Sequence, residues 1–448
     1  MARRQRRRRL PAEPITIDIH DLSHDGRGVG RHEDKVVFVH SALPEERVHA
    51  RLTGRNRRFD DALTLAVDVS SPDRVEPECP WFGNCGGCAL QHLQHPAQLK
   101  WKQSRLEENF RRIGQVKPNE WLAPIQADPW HYRRRARLSA RLVQGKGRVL
   151  VGFREIGGRY VADIERCSIL DRFFSDRLMS LSDLIGSLSI PDRIAQIECA
   201  AGDHSAAIVI RHLEPLTDED HQRLIEWSSA QSIDGQPLGI YLQPKGPDSV
   251  HLLTPETHEL SYHLERYQLD LKFHPQHFIQ INSEVNQQLI DAALTLLELD
   301  SNDRVLDLFC GLGNFSLPIA RRAAHVVGVE LESALVDAAR DNAVRNELNN
   351  AEFVSADLTA ASDSLDFMNT PYDAVLIDPP RSGAAEILPL IAASNAPRVV
   401  YVSCDPATLA RDAGTLVQQH GYTLESAGIA DMFPHTAHVE SLALFTKP

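Results

Sequence analysis

The chain has 448 residues, 42% hydrophobic and 24% charged, with a formal net charge of −13; that length exceeds one typical core, and three folding units are expected. No uninterrupted apolar stretch approaches the ~20 residues of a membrane span, and the Arg-rich start at residues 3–9 runs into Leu10-Pro11-Ala12-Glu13 rather than the apolar core of a signal peptide. Membrane insertion and export are thereby disfavoured, so a cytoplasmic protein without structural disulfides is expected.

The negative total conceals a lopsided distribution. Residues 1–166 carry 31 Lys/Arg against 21 Asp/Glu, and the remainder carries 17 against 40. A basic first third can neutralise the phosphates of a long polyanion, while the acidic remainder limits indiscriminate binding. The arginine run taken alone reads equally well as a solvated tail.

In chain order, Ile15, Ile17 and Ile19 alternate with Thr16 and Asp18, and Gly26, Gly28 and Gly30 turn the chain toward an apolar run at 35–39. Extended runs at 48–52 and 62–69 flank the basic loop Gly54-Arg55-Asn56-Arg57-Arg58, which predicts a small nucleic-acid-binding β-barrel of OB-like form. Residues 72–80 read as a linker and 98–113 as an amphipathic helix. From 130 to about 270 the pattern is mostly strand-like, and it opens on His131-Tyr132-Arg133-Arg134-Arg135-Ala136-Arg137. Beyond 283 the rhythm becomes helix and apolar strand in alternation: helices over 284–299, 315–322 and 333–346, strands over 304–309, 326–330, 352–355, 374–378 and 399–403. That order predicts an α/β, doubly wound, Rossmann-like sheet with its ligand site at the carboxyl ends of the strands.

The chemistry-bearing residues fall at those ends. Asp307-Leu308-Phe309-Cys310-Gly311-Leu312-Gly313-Asn314-Phe315 joins the first strand to its helix through two glycines, but Ser316 stands where a dinucleotide fingerprint needs a third. Glu330 ends the second strand, where a carboxylate can accept from both hydroxyls of a ribose, and Asp357 ends the third, within reach of an adenine. Together these features resemble the class I S-adenosylmethionine methyltransferases. Asp378-Pro379-Pro380-Arg381 follows the fourth strand and Ser403-Cys404-Asp405-Pro406 the fifth. The Asp-Pro-Pro element alone also suits methylation of amino groups, which needs no cysteine. Carbon 5 of uracil does need one: a thiolate added to carbon 6 makes an enolate whose carbon 5 attacks the sulfonium methyl. A base then removes the carbon 5 proton.

The second half resembles the bacterial RNA uracil-5 methyltransferase family. The resemblance rests on Phe278-Ile279-Gln280-Ile281-Asn282, the 307–314 loop, Asp378-Pro379-Pro380-Arg381, the segment from Ser403 to Asp412, and Asp431-Met432-Phe433-Pro434-His435-Thr436-Ala437-His438-Val439-Glu440. It implies that Gln280, Phe309, Asn314, Glu330, Asp357 and Asp378 bind S-adenosyl-L-methionine, that Cys404 is the nucleophile, and that Glu440 is the base. His435 and His438 are rival bases on chemical grounds, although a histidine beside Pro434 is more often structural.

Cys79, Cys85 and Cys88 share a Pro/Gly-rich loop, and Cys167 lies further along. Three close thiols and a distant fourth form a metal-ligand pattern that leaves zinc, iron-sulfur and, in an oxidising compartment, disulfides open. The family resemblance implies a [4Fe-4S] cluster on these four residues. A TRAM-type barrel combined with the cysteines resembles the members acting on 23S ribosomal RNA, with neither DNA nor a membrane as partner and a monomeric enzyme. The expected domains are 1–72 (basic arm and TRAM barrel), 73–272 (central iron-sulfur and RNA-binding domain) and 273–448 (catalytic domain). A transfer RNA uracil-5 methyltransferase and a non-catalytic RNA-binding assembly factor are the alternatives.

Overall fold

The computed structural model of the protein describes residues 13–232, 235, 237–358, 367 and 370–447; the arginine run at 3–9 lies outside the described residues. The early apolar alternation forms five strands: β1 (Ile15–Leu22), β2 (Gly28–His32), β3 (Lys35–His40), β4 (Arg47–Arg55) and β5 (Phe59–Val69). They close a barrel in the order β1-β2-β3-β5-β4. Ile15, Ile17, Ile19, Val37, Val39, Val48 and Leu52 form its core, as a side-chain period of two requires. Gly30 marks a close crossing of β1 and β2, because a Cβ there would lie 2.6 Å from the Asp18 carbonyl oxygen.

Among the described residues the chain forms two compact units. The first runs to Trp101 and adds Phe153–Ala162 and Phe433–His438, while the second holds Lys102–Gly152, Asp163–Met432 and the chain from Val439 onward. The domains expected from sequence were continuous segments, whereas these units are interleaved.

Helix α1 (His95–Asn109) ends in a π-helical turn over Phe110–Gly114, close to the expected limits. The middle of the chain then supplies β6 (Glu120–Trp121), β7 (Arg135–Val143), β8 (Arg148–Gly152), α2 (Arg172–Ser175), α3 (Leu178–Ser187), β9 (Ile194–Ala201), β10 (Ala206–His212), α4 (Asp218–Ala230), β11 (Gly239–Gln243) and β12 (His251–Thr254). Six of these strands form a sheet in the order β12-β11-β10-β9-β7-β8. The mostly strand-like reading of this region thus needs three α-helices added, the first of them a single turn. In α3, Leu178, Leu181, Leu184 and Ile185 are buried at helical spacing. The start of α4 is set by a capping box between Thr217 and Asp220. A hairpin of β13 (Leu260–Leu264) and β14 (Leu269–Phe273) follows.

The last third alternates as expected: α5 (Ser283–Leu297), β15 (Arg304–Leu308), α6 (Ser316–Ala320), β16 (His325–Glu330), α7 (Ser333–Arg345), β17 (Ala351–Ser355), β18 (Ala374–Ile377), α8 (Leu388–Ala393), β19 (Arg398–Ser403), α9 (Pro406–His420), β20 (Thr423–Ala430) and β21 (Glu440–Thr446). Among the described residues they build an eight-stranded sheet, β17-β16-β15-β18-β19-β21-β20-β6. The strands from β17 to β19 run parallel and β21 is antiparallel to its neighbours. Strand order reverses between β15 and β18, and a crevice outside the carboxyl ends of strands at such a switch point is where this architecture places ligands. No helix among the described residues is long and apolar enough to cross a membrane.

Candidate active site

The loop after β15 is shaped by backbone geometry that most side chains resist. Phe309 has φ +65°, Gly311 +55° and Gly313 +97°, and at Gly313 a Cβ would also lie 3.0 Å from Leu317. Gly311 N–H donates to Glu330 Oε2 at 3.2 Å, and Glu330 Oε1 accepts from the N–H groups of Leu331 and Glu332 at 2.8 and 3.1 Å. The ribose-binding candidate is therefore held rigidly at the end of β16. Asn314 is fixed from behind. It exchanges two 3.0 Å amide hydrogen bonds with Asn286 of α5, and its Oδ1 also accepts from the buried Tyr262 hydroxyl at 3.0 Å. Neither Tyr262 nor Asn286 stood out in the sequence. Asn286 lies one turn beyond Asn282, the residue that caps α5, and that spacing was the available signal.

Acids surround the switch point. Asp307 is fully buried, and its Oδ2 accepts from Ser316 Oγ at 2.5 Å. Burial pushes its carboxyl up to about 7, with Asp378 and Glu330 adding to the rise and the Ser316 hydrogen bond opposing it. Asp378, partly exposed just beyond β18, is pushed up to about 7 as well by burial of its carboxyl. Asp357 is exposed two residues past β17, where the Ala356 N–H ties the chain to the Glu330 carbonyl at 3.0 Å. Gln280 sits partly buried in the loop between β14 and α5.

Strand register brings the chemical pair together. Ser403 of β19 lies opposite Ser441 of β21, so the next positions, Cys404 and Glu440, follow directly across the ladder. Cys404 is partly exposed and Glu440 buried. Burial pushes the Cys404 thiol up to about 11, reinforced by Glu440 and Asp378 and opposed by Arg381. Glu440 is held well above the usual carboxyl range by burial and Asp378, again opposed by Arg381. Behind Cys404, Asp405 caps α9, its Oδ1 accepting from Ala407 and Thr408 N–H at 2.9 and 3.2 Å. Asp412 accepts from the Tyr401 hydroxyl at 2.7 Å and from Ala384 N–H at 2.8 Å, which fastens α9 to the Asp-Pro-Pro-Arg turn.

The histidines named as rival bases lie in the other compact unit. His435 is buried with φ +64°, its N–H donates to Gln98 Oε1, and its carbonyl accepts from Ala89 and Leu90. Those contacts make it a structural residue of the first unit. His438 is exposed against the Phe433 ring. Cys79, Cys85 and Cys88 are partly exposed in the first unit, whereas Cys167 is buried in the second. All seven cysteines are unbridged. Among the described residues no group of three or more His, Cys, Asp or Glu is gathered closely enough to hold a metal ion.

The profile of the tRNA (uracil-5-)-methyltransferase family matches residues 94–448, and that of the TRAM domain matches residues 8–59. The chain belongs to the tRNA (uracil-5-)-methyltransferase family. Within it, the chain is 50% identical over 444 residues to a protein of Alkalilimnicola ehrlichii named 23S rRNA (uracil(1939)-C(5))-methyltransferase RlmD, covering 99% of each. It is 49% identical over 446 residues to a Stenotrophomonas maltophilia protein of the same name, covering 98% of this chain and 99% of that one. Its fold is similar to that of a Pyrococcus abyssi tRNA (uracil-54, C5)-methyltransferase solved in complex with S-adenosyl-L-homocysteine, with a TM-score of 0.73 and 24% identity over 96% of this chain and 99% of that one.

Proposed function

We infer that this protein transfers a methyl group from S-adenosyl-L-methionine to carbon 5 of a uridine in 23S ribosomal RNA, the position for which its relatives are named. The observation that carries the reading is the nearness of Cys404 to Glu440, each one position beyond the Ser403–Ser441 pair of β19 and β21, beside the acid-lined switch point. Gln280, Phe309, Asn314, Glu330, Asp357 and Asp378 would hold the methyl donor, with Glu330 on the ribose and the acids near Asp378 favouring its positive charge.

Burial, and after it the neighbouring carboxylates, disfavour a thiolate at Cys404. A sulfonium cation near Asp378 would offset those charges, so nucleophile and methyl donor are armed together. Cys404, its proton passed to solvent, would then add to carbon 6 of the uracil as a thiolate, and the electron pair released into the ring would let carbon 5 take the methyl group as the donor's carbon–sulfur bond breaks to leave a neutral thioether. Glu440 removes the carbon 5 proton, and the same electrons expel the thiolate. The upward shift favours the protonated acid, so Glu440 acts as a base only once ionised, and is then a stronger one than a solvated carboxylate. The reacting uracil must leave its stack to reach Cys404, and Phe278, 64% exposed two residues before Gln280, offers a face for a displaced base.

Cys79, Cys85, Cys88 and Cys167 are read as ligands of a [4Fe-4S] cluster. Three of the four share one loop, where Gly87 N–H donates to the Cys85 sulfur, the kind of backbone donor that a cluster thiolate takes. When bound, such a cluster supplies cross-linking of the loop and no redox step. The segments 1–72, 73–272 and 273–448 then divide the work among RNA holding, cluster-assisted positioning and catalysis, in a monomeric cytoplasmic enzyme. Incubating the protein with labelled methyl donor and unmodified 23S ribosomal or transfer RNA tests the assignment. Label at carbon 5 of one 23S uridine is expected; label in transfer RNA alone would contradict it.

A further inference from the structure

The first unit contains a cleft of about 270 Å³ that the methyl transfer does not use. The barrel contributes Asp25, Arg27 and His40 to its wall, the cysteine loop contributes Phe82 and Cys88, so that the cleft borders the cysteine site, and the Phe153–Ala162 segment contributes Glu155. That segment is fastened to the cysteine loop by Gly86 N–H to Arg154 O at 2.8 Å and by Ile156 N–H to Asn84 O at 2.9 Å. Its far end presents Tyr160, which is 62% exposed.

The wall carries two carboxylates, Asp25 and Glu155, beside Arg27, His40 and Ser41. Arg27 is engaged by Asp25 at 2.8 Å and Asp61 at 2.7 Å and lies over the Phe38 ring at 4.6 Å, which removes it as a phosphate ligand. Asp25 accepts from Ser23 Oγ and Arg27 Nε, one on each oxygen, and keeps 41% of its side chain exposed. Glu155 is half-buried, and its carboxylate has no hydrogen-bonding or ionic partner among the described residues. A partly exposed ring, Phe82, is backed by His92 at 5.2 Å. Two carboxylates and an aromatic face repel phosphate and suit a flat ligand with N–H donors on its edge. Carboxylates accept from exocyclic amino groups of bases, and unpaired RNA bases stack on aromatic side chains.

We propose that this cleft takes one unstacked nucleobase of the substrate RNA, distinct from the methylated uracil, and selects a base carrying an exocyclic amino group. The proposal rests on the RNA-methylating function inferred above and assigns part of its sequence selectivity to the first unit.

The test uses the full-length protein and a 23S fragment around the target. Each unpaired base other than the target is replaced by an analogue lacking its amino group: inosine for guanosine, purine riboside for adenosine, uridine for cytidine. One replacement should lower kcat/KM about tenfold with the wild-type protein, the size of one good base contact. With Glu155→Ala, whose side chain has no other polar partner, discrimination at that position should fall to about twofold while the target uracil remains required. Asp25→Asn, checked for an unchanged melting temperature, should act in the same direction. Normal transfer with no sensitive position, or full discrimination retained by Glu155→Ala, would overturn the cleft assignment and leave the methyltransferase reading intact. Equal strengthening of every RNA by Glu155→Ala would mark the carboxylate as mere repulsion and also overturn it. Absence of methyl transfer to any of these RNAs would remove the inferred function and this proposal together.

Discussion

Asp307 keeps a carboxyl in the core of the catalytic half with one oxygen bonded to Ser316 and the other without a partner among the described residues. Its value of about 7 in the folded protein stands above 3.8 in a solvated chain, so the unfolded state releases its proton first as pH rises. The protonated group's contribution is complete below about pH 4 and is lost as pH climbs through about 7. In the ligand-free protein, the melting temperature of Asp307→Asn relative to wild type should therefore rise between pH 4 and pH 8; a pH-independent difference would show that Asp307 is not strained by ionisation. Glu330, Asp378 and Cys404 could be picked out as candidates because each lies at or just past the end of an apolar run. Their mutual electrostatics were not legible. The rise at Cys404 depends on Glu440 and Asp378, which only the sheet brings near it, and the support of Asn314 by Tyr262 spans 52 positions in the chain.

Strand β20 ends beside a buried ion pair. Lys102 Nζ donates to Asp431 Oδ1 at 2.6 Å, with side chains 1% and 0% exposed, and Ala430, the neighbour of Asp431, lies opposite Glu440. Removing one partner of such a pair leaves an uncompensated buried charge, at about 3–5 kcal/mol, whereas an apolar replacement of both is far less harmful. Lys102→Met should lose stability of that order in urea unfolding, and Lys102→Met/Asp431→Leu should regain most of it; equal losses would show that the two charges are not coupled. Elements were readable from sequence wherever one periodicity prevailed, as in the barrel's Ile15, Ile17 and Ile19 and the βα alternation after 283. Helix α3 was hidden because its apolar residues follow directly on Phe173 and Phe174 and precede a strand, so no clear change of period marks it. The joining of Phe153–Ala162 and Phe433–His438 to the first unit depends on pairings such as Cys85 with Glu155 and Ala89 with His435, which local pattern does not encode.

At the scale of the whole chain, a basic first third precedes an acidic remainder, and part of the basic charge is already spent internally. Arg134 pairs with Asp203, and Arg135 reaches Glu198 and the Gln276 carbonyl, whereas Arg137 remains 68% exposed although it touches Glu198. Arg57 and Arg58, by contrast, lie exposed on the barrel. Neutralising Arg57 and Arg58 should weaken target and scrambled RNA alike and flatten the logarithmic salt dependence by about one unit for each phosphate no longer neutralised. Changing Arg134 or Arg135 should instead lower stability; an unchanged salt slope after Arg57 and Arg58 are removed would place the RNA surface elsewhere. The central claim is covalent catalysis by Cys404, and RNA carrying 5-fluorouracil at the target tests it most directly, because fluorine cannot leave carbon 5 as a proton does. Wild-type protein should give a methylated protein–RNA adduct that survives denaturing electrophoresis, Glu440→Gln should still form it, and Cys404→Ala should form none; an adduct of equal yield with Cys404→Ala would contradict the mechanism.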